Sequence, residues 1–409
     1  MSLQTATHSS GAGQSVSAPR LVGREHIPGL DGVRALSILI VMAGHYGFGK
    51  IVPGGFGVTI FFFVSGFLIT TLLLRELDAS GGIDLRNFYL RRLLRLAPEL
   101  LAFVLVTLVV GLATDKVVRP VELLAAVFYF TNYYHLINGM CSYDVCVGWH
   151  ILWSLAVEEH FYLLFPLCLL LLARNPRRLL YVLTGLLVAA LVWRLVVVLA
   201  LNLDADWTYK ASDSRLDSIG YGCWLAVVFA RFPAMLAKPA RHGYLIASAA
   251  AGLLVASLAV RDPVFRDTAR YSVQGVAIGL GFLALYATPV GTRGLAFLDT
   301  APMVWMGRLS FAAYLWHFMP LDLFLWWLDH DRAGEMSTLA KWPVALVSTV
   351  VTFGLAWLSY VLIARPVSRL RHRFRARGSE AGAVVPAAPA SMTGLFATDG
   401  AAGSGRGRA

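Results

Sequence analysis

Apolar segments of about 20 residues recur along this chain and constrain its fold more than any other feature. A helix needs roughly 20 residues to cross the hydrocarbon core of a bilayer. Segments of about this length lie at residues 31–49, 56–75, 97–114, 150–173, 179–201, 215–231, 243–260, 272–288, 304–328 and 342–364. Hydrophobic residues make up 57% of the chain and charged residues only 14%, unlike a soluble domain. The sequence therefore predicts an all-α polytopic membrane protein with about ten transmembrane helices.

The basic residues predict which ends of these helices face the cytoplasm. They gather after the second, fourth and sixth spans and in the tail, so the positive-inside rule places both termini in the cytoplasm. The connection 261–270 is an exception, because it carries arginines on the outer side. We interpret the apolar stretch 121–136 as interfacial or re-entrant, since another crossing would move Arg174–Arg178 outside. Topology accounts for the net charge of +11, and nucleic-acid binding is not expected.

The chain is predicted to contain one folded domain. Residues 30–365 form the transmembrane domain, 1–29 a disordered cytoplasmic amino terminus, and 366–409 a basic and then disordered cytoplasmic tail. The first 29 residues lack the features of a removable signal peptide, so the first span is expected to be an uncleaved anchor in the plasma or inner membrane. Cys141 and Cys146 lie in a polar loop, where an oxidising environment would allow a disulfide.

The first span carries an arginine and a histidine. Arg34 and His45 are eleven positions apart, so in a regular α-helix they share nearly one face and lie about 16 Å apart along the axis. An ionisable group inside a span costs roughly 2.5–3.5 kcal/mol on insertion scales, and therefore suggests a function. His45 is the best candidate for a general base, because imidazole titrates near neutrality. The alternative is a membrane-end arginine and a histidine that is hydrogen-bonded within the bundle.

Three arginines precede the third span. Arg91, Arg92 and Arg95 have helical spacing that places two or three of them on one face. Guanidinium groups match the geometry of phosphate, and a phosphorylated donor such as acyl-CoA is found on the cytoplasmic side. Alternatively, these arginines only enforce topology and bind anionic lipid headgroups.

The fourth span contains two adjacent carboxylates about a third of the way into the membrane. Ser154, Glu158 and Tyr162 follow i, i+4, i+8 spacing and form one polar stripe, which indicates a wet cavity. Glu158 or Glu159 could stabilise a charged imidazole. Alternatively, they could pair with a buried arginine such as Arg194 or Arg215.

Other candidates are weaker. Ser65 lies near the middle of the second span, where a small residue more often serves packing. Tyr314 and His317 in the ninth span could face the cavity, and Arg215 and Asp217 could line an acceptor entrance or pair with each other. The histidines have no ligand spacing typical of a metal site, so no metal or bound cofactor is expected.

Five motifs occur in a fixed order between residues 27 and 365. They are LDGVRA followed by His45, FFFVSGFLIT, FYLRRLLRLAP, WSLAVEEHFYLLFP and LSFAAYLWH. In this order and spacing they resemble the acyltransferase-3 family of membrane-bound O-acyltransferases, which includes bacterial O-antigen and peptidoglycan O-acetylases and macrolide acyltransferases.

The resemblance implies roles for the matching residues. His45 would be the catalytic residue with Arg34 as its partner, and Arg92 and Arg95 match a pair implicated in handling the acyl donor. The other matches are Ser65, Trp153, Glu158 and Glu159. This chain has His160 where the family motif usually has glutamine.

The expected activity is that of an acyltransferase that moves groups other than aminoacyl groups. An acyl group, acetyl or another short chain, would pass from cytoplasmic acyl-CoA, the co-substrate, to a hydroxyl group. The acceptor would be a sugar, a cell-surface glycan or a secondary metabolite such as a macrolide. A proton-coupled secondary transporter is the alternative, because such carriers also bury charges, although no internal repeat supports it.

Overall fold

The structure, a computed structural model, describes residues 27–114, 118–139, 148–328 and 336–371. Every regular element within these ranges is a helix, so the predicted all-α class is confirmed. The predicted cysteine pair, the first 26 residues and the tail after residue 371 lie outside the described residues.

The helices are numbered in chain order. Those of the first half are α1 (Leu30–Ala43), α2 (Gly54–Ser80), α3 (Leu85–Ala113), α4 (Pro120–Val127), α5 (Thr131–Asn138), α6 (Trp153–Leu172), α7 (Pro176–Leu195), α8 (Ala205–Lys210) and α9 (Ser212–Arg231). Those of the second half are α10 (Ala234–Ala237), α11 (Gly243–Ala259), α12 (Pro263–Asp267), α13 (Ala269–Ala287), α14 (Gly291–Leu298), α15 (Ala301–Trp316), α16 (Phe318–Trp327), α17 (Thr338–Ser359) and α18 (Arg365–Arg371).

Six helical segments of the described chain are long and apolar enough to cross a membrane. They are Gly54–Ser80, Leu85–Ala113, Trp149–Leu172, Pro176–Ala200, Ala234–Ala259 and Leu339–Leu370. A seventh crossing arises if α13 and α14, which meet at an angle of 95°, are one broken span. The membrane-spanning character is therefore supported, whereas the total of ten spans and the cytoplasmic location of the termini stay predictions.

Three predicted spans form helices that are shorter or more charged than expected. α1 has 14 residues and continues into a π-type turn over Gly44–Phe48. α9 carries Asp213, Arg215 and Asp217 in its first turns. The predicted span 304–328 is divided between α15, which ends at Trp316, and α16, which begins at Phe318, and His317 between them keeps right-handed helical dihedrals. Pro320 accounts for this break, since it has no N–H to donate to the carbonyl of Trp316.

The stretch 121–136 falls in two short helices, α4 and α5, which have eight residues each. Eight helical residues extend about 12 Å, well short of the hydrocarbon core. Tyr129, in the connection between them, has a φ of 60°, a left-handed conformation that is uncommon for residues other than glycine. Neither helix is long enough for a crossing, which agrees with the interfacial or re-entrant interpretation.

α2 packs tightly against α9, and glycines permit the close approach. A Cβ on Gly66 of α2 would overlap the carbonyl oxygen of Ile219, and one on Gly222 of α9 would overlap the carbonyl oxygen of Phe63. Small residues let helix backbones approach within a membrane, where burial of apolar surface provides little driving force. This contact holds α2 against α9. α1 in turn packs against α2 and α15.

We predict that Gly66→Ala and Gly222→Ala each destabilise the protein by about 1–3 kcal/mol, because the added methyl group overpacks the interface. Gly281→Ala on α13 is the matched control, since a Cβ there meets nothing within 4 Å. Thermal unfolding in detergent, followed by tryptophan fluorescence, measures the effect. An equal Tm for the three variants would contradict this account of α2–α9 packing.

Candidate active site

A cavity of about 110 Å³ lies among α1, α2, α3, α6 and α15. Its polar lining consists of Arg34, Ser65, Arg92, Arg95, Ser154, Glu158, Tyr162 and Tyr314. Apolar side chains such as Phe61 and Phe62 complete the wall. Three guanidinium groups and one carboxylate therefore meet inside an otherwise apolar bundle, an arrangement that suits an anionic ligand.

Arg92 joins α3 to the two glutamates of α6. Its Nε donates to Glu159 Oε1 at 2.9 Å, and its Nη2 lies 2.8 Å from the same oxygen and 4.0 Å from Glu158 Oε2. Glu158 Oε1 also accepts a hydrogen bond of 2.9 Å from the Ser65 hydroxyl on α2. The glutamates thus contact Arg92, and not Arg194 or Arg215 as one of the alternatives from the sequence proposed.

Arg92 also stacks on an aromatic ring. Its Cζ lies 3.2 Å from the centre of the Tyr162 ring, a cation–π contact between α3 and α6. A second cavity, of about 460 Å³, is lined by Arg86, Tyr129 and Glu159 and shares Arg92 and Tyr162 with the first. The stacked pair therefore forms a common wall between the two cavities.

The predicted polar stripe of α6 lines the first cavity. Ser154, Glu158 and Tyr162 all face it, as the i, i+4, i+8 spacing indicates. The Ser154 hydroxyl lies 2.6 Å from that of Tyr314, which donates to the carbonyl of Ile151 at 2.9 Å. Tyr314 thereby brings α15 to the same wall.

The three arginines of α3 do not share one environment. Arg92 and Arg95 line the cavity, whereas Arg91 pairs with Glu76 of α2 at 3.0 Å. Glu76 also accepts the backbone N–H of Asp84, just before α3. Arg91 thus has a structural partner near the start of α3 and is absent from the cavity lining.

Arg34 and His45 have different surroundings, because Arg34 lines the cavity and His45 is absent from its lining. Arg34 lines the cavity from α1, and no hydrogen-bond partner for it occurs among the described residues. His45 lies in the turn, where Gly47 has a φ of 93°. The non-helical residues of this turn, Tyr46 and Gly47, come after His45, so the common helical face of Arg34 and His45 stays a prediction.

His45 contacts a second histidine instead of a glutamate. Its Nδ1 lies 2.9 Å from Nε2 of His317, and the planes of the two rings differ by only 20°. His317 Nδ1 lies 2.6 Å from the carbonyl oxygen of Tyr314. Neither Glu158 nor Glu159 contacts His45 in the described residues, so no direct contact supports the expected stabilisation of its imidazolium. The histidine pair instead connects His45 to Tyr314, which lines the cavity.

The remaining candidates lie outside the cavity. Trp153 packs edge-on against Phe62, and His160 Nδ1 lies 2.7 Å from the Ser212 hydroxyl. Arg215 and Asp217 do not form a direct pair: Asp217 bonds to Arg194 at 2.7 Å, and Arg215 donates to Thr59 at 2.9 Å. In the described part of the chain, no group of three or more His, Cys, Asp or Glu side chains is arranged to hold a metal ion.

Sequence comparisons agree with the motif pattern. The family model described as "Acyltransferase domain", that of the acyltransferase-3 family, matches residues 27–361. Peptidoglycan O-acetyltransferase OatA of Listeria monocytogenes is 26% identical in an alignment of 359 residues that covers 85% of this chain and 56% of that protein. O-acetyltransferase OatA of Staphylococcus aureus is 28% identical in an alignment of 381 residues that covers 90% of this chain and 60% of that protein. The chain thus spans less than two thirds of these curated relatives, and no solved structure matches it significantly.

We predict that Arg92→Gln destabilises the protein by about 3–5 kcal/mol, because it leaves two largely buried carboxylates without their cation. The side chains of Arg92, Glu158 and Glu159 are only 14%, 17% and 20% exposed. Adding Glu159→Gln should recover part of this loss, since one uncompensated charge is removed. The unfolding midpoints of the wild type, both single variants and the double variant form a double-mutant cycle. Strictly additive effects would exclude coupling between Arg92 and Glu159.

Proposed function

The chain belongs to the acyltransferase-3 family, and on this basis we propose that it is a membrane O-acyltransferase that uses cytoplasmic acyl-CoA. The observation that carries the proposal is the convergence of Arg34, Arg92, Arg95 and Glu158 on one cavity inside an apolar helix bundle. Structural pairing alone accounts for Arg91, but it does not require three further arginines from two helices to face the same space.

The acyl donor binds through its phosphates. Arg95 and Arg92 supply guanidinium groups for these anions, and the narrow pantetheine arm carries the thioester into the cavity. The small volume of about 110 Å³ favours an acetyl or another short acyl group. Glu158 is held by the Ser65 hydroxyl and therefore limits the positions that the Arg92 guanidinium can adopt beside it.

His45 acts as the general base. It removes the proton from an acceptor hydroxyl, whose oxygen forms a new bond to the thioester carbonyl carbon. The carbon–sulfur bond breaks, and the leaving CoA thiolate takes the proton back from the His45 imidazolium. Arg34 stabilises the negative charge that develops on the donor in this low-dielectric environment. The net reaction is acyl transfer with release of free CoA.

The acceptor is a hydroxylated carbohydrate of the cell surface. The named activity of the Listeria relative, on peptidoglycan, supports a sugar acceptor in preference to a small molecule such as a macrolide. Several apolar helices support a multi-pass membrane protein, and we assign it to the plasma or inner membrane. A cell-surface glycan is accessible from that location.

We predict that His45→Ala abolishes acyl transfer, by at least about 100-fold, because the general base is lost. The measurement is incorporation of radiolabelled acetyl groups from acetyl-CoA into a sugar acceptor by protein reconstituted in vesicles. Unchanged Tm and membrane insertion of the variant are the controls. Normal turnover in this variant would contradict the assignment of His45 as the general base. Uptake of label into the vesicles without covalent transfer would favour the alternative, a secondary transporter.

A second prediction compares two arginines of α3. Arg95→Gln should raise the KM for acyl-CoA by about 10- to 100-fold, since a hydrogen bond to a charged group contributes about 1.5–3 kcal/mol. Arg91→Gln, the matched variant, removes a guanidinium group that pairs with Glu76 outside the cavity. It should change the KM less than threefold, because Arg91 does not line the cavity. Equal effects of both variants would contradict donor binding in this cavity.

A further inference from the structure

His45 and His317 are held at two helix breaks that the bundle brings together. His45 lies in the π-type turn after α1, and His317 lies between α15 and α16. The phenol of Tyr46 donates to the carbonyl of His317 at 3.0 Å and lies 3.0 Å from the Thr352 hydroxyl on α17. The backbone of the second histidine is therefore fixed by the residue that follows the first.

The contacts of His317 determine which of its nitrogens carries hydrogen. The carbonyl oxygen of Tyr314 can only accept, so His317 Nδ1, at 2.6 Å, must be the donor. A neutral imidazole has one N–H, and His317 Nε2 is therefore an acceptor. The nitrogen facing it, His45 Nδ1 at 2.9 Å, must then carry the hydrogen.

A cationic His317 would reverse this assignment, and its burial opposes that state. His317 is 0% exposed, and no carboxylate contacts its ring among the described residues. A buried charge without a counter-charge is costly, so the neutral form is favoured. His45, by contrast, is only partly buried, and its Nε2 has no hydrogen-bond partner in the described ranges.

We propose that His317 is a positioning residue that holds His45 in the tautomer with hydrogen on Nδ1 and a free electron pair on Nε2. This tautomer is the one that can take a proton from an acceptor hydroxyl at Nε2. The inference rests on the proposed function of His45 for its catalytic meaning, but the tautomer itself is a property of the unliganded protein. His45 and His317 correspond to a general base and the group that orients it, with the imidazole of His317 in place of the usual carboxylate.

The direct test is ¹⁵N NMR of the histidine rings in the full chain, reconstituted in lipid nanodiscs. The chain has 10 histidines, and the His45 signals are those lost in His45→Gln. The proposal expects a protonated Nδ1 and an unprotonated Nε2 for His45 in the wild type. In His317→Leu, which has no acceptor, a population with hydrogen on Nε2 should appear. A wild-type His45 with hydrogen on Nε2 overturns the proposal, whatever the activity.

Kinetics provide a readout that a merely structural role would not move. His317→Leu should lower kcat by about 10-fold or more with little change in the KM for acetyl-CoA, because a base in the wrong tautomer is ineffective. His317→Gln keeps an acceptor for His45 Nδ1 and should stay within about threefold of the wild type. His150→Gln is the control, since its ring contacts Phe318 beside the pair without a hydrogen bond to it.

The outcomes separate this inference from the proposed function. An active His45→Ala variant would remove the catalytic role of His45, while the NMR spectra would still decide the tautomer. Equal losses of kcat in His317→Gln and His317→Leu, with both proteins folded to the same Tm, would overturn the positioning role. Loss of the Nδ1–H signal in His317→Leu together with rescue by glutamine would support it.

Discussion

The charge of Arg92 is the constraint on which the arrangement around the cavity depends. A guanidinium group inside an apolar bundle is stable only with carboxylates, hydrogen bonds or an aromatic ring around it. Arg92 has all three, through Glu159, Glu158 and Tyr162. These contacts tie the third helix to the sixth, and Ser65 adds the second helix through Glu158. The neutralisation of one cation thus links three helices.

Other charged side chains form ion pairs that do not involve Arg92. Arg91 and Glu76 neutralise each other near the start of α3, and Arg194 and Asp217 do so in a fully buried pair between α7 and α9. These pairs resemble structural ion pairs, because each has a direct partner of opposite sign. Arg34 has no such hydrogen-bonded partner in the described chain, and its nearest compensation is the electrostatic interaction with Glu158 in the same cavity. This difference in pairing between the arginines is not visible in their spacing along the sequence.

The sequence predicts faces of single helices well and contacts between distant helices poorly. The polar stripe of Ser154, Glu158 and Tyr162 follows from helical periodicity, and all three side chains line the cavity. The partner of His45 is 272 positions away, and no periodicity within either segment indicates which helices pack together. Breaks are equally hard to predict, because apolar composition continues through His317 while Pro320 interrupts the hydrogen-bond pattern.

The turn that contains His45 departs from helical geometry only after the histidine. Ala43 and Gly44 keep right-handed helical dihedrals, whereas the two non-helical residues, Tyr46 and Gly47, follow His45. The direction of the His45 side chain is therefore set by the end of α1, and that of Tyr46 by the turn. Two successive residues can thus meet one partner in two ways, His45 through the ring of His317 and Tyr46 through its backbone carbonyl.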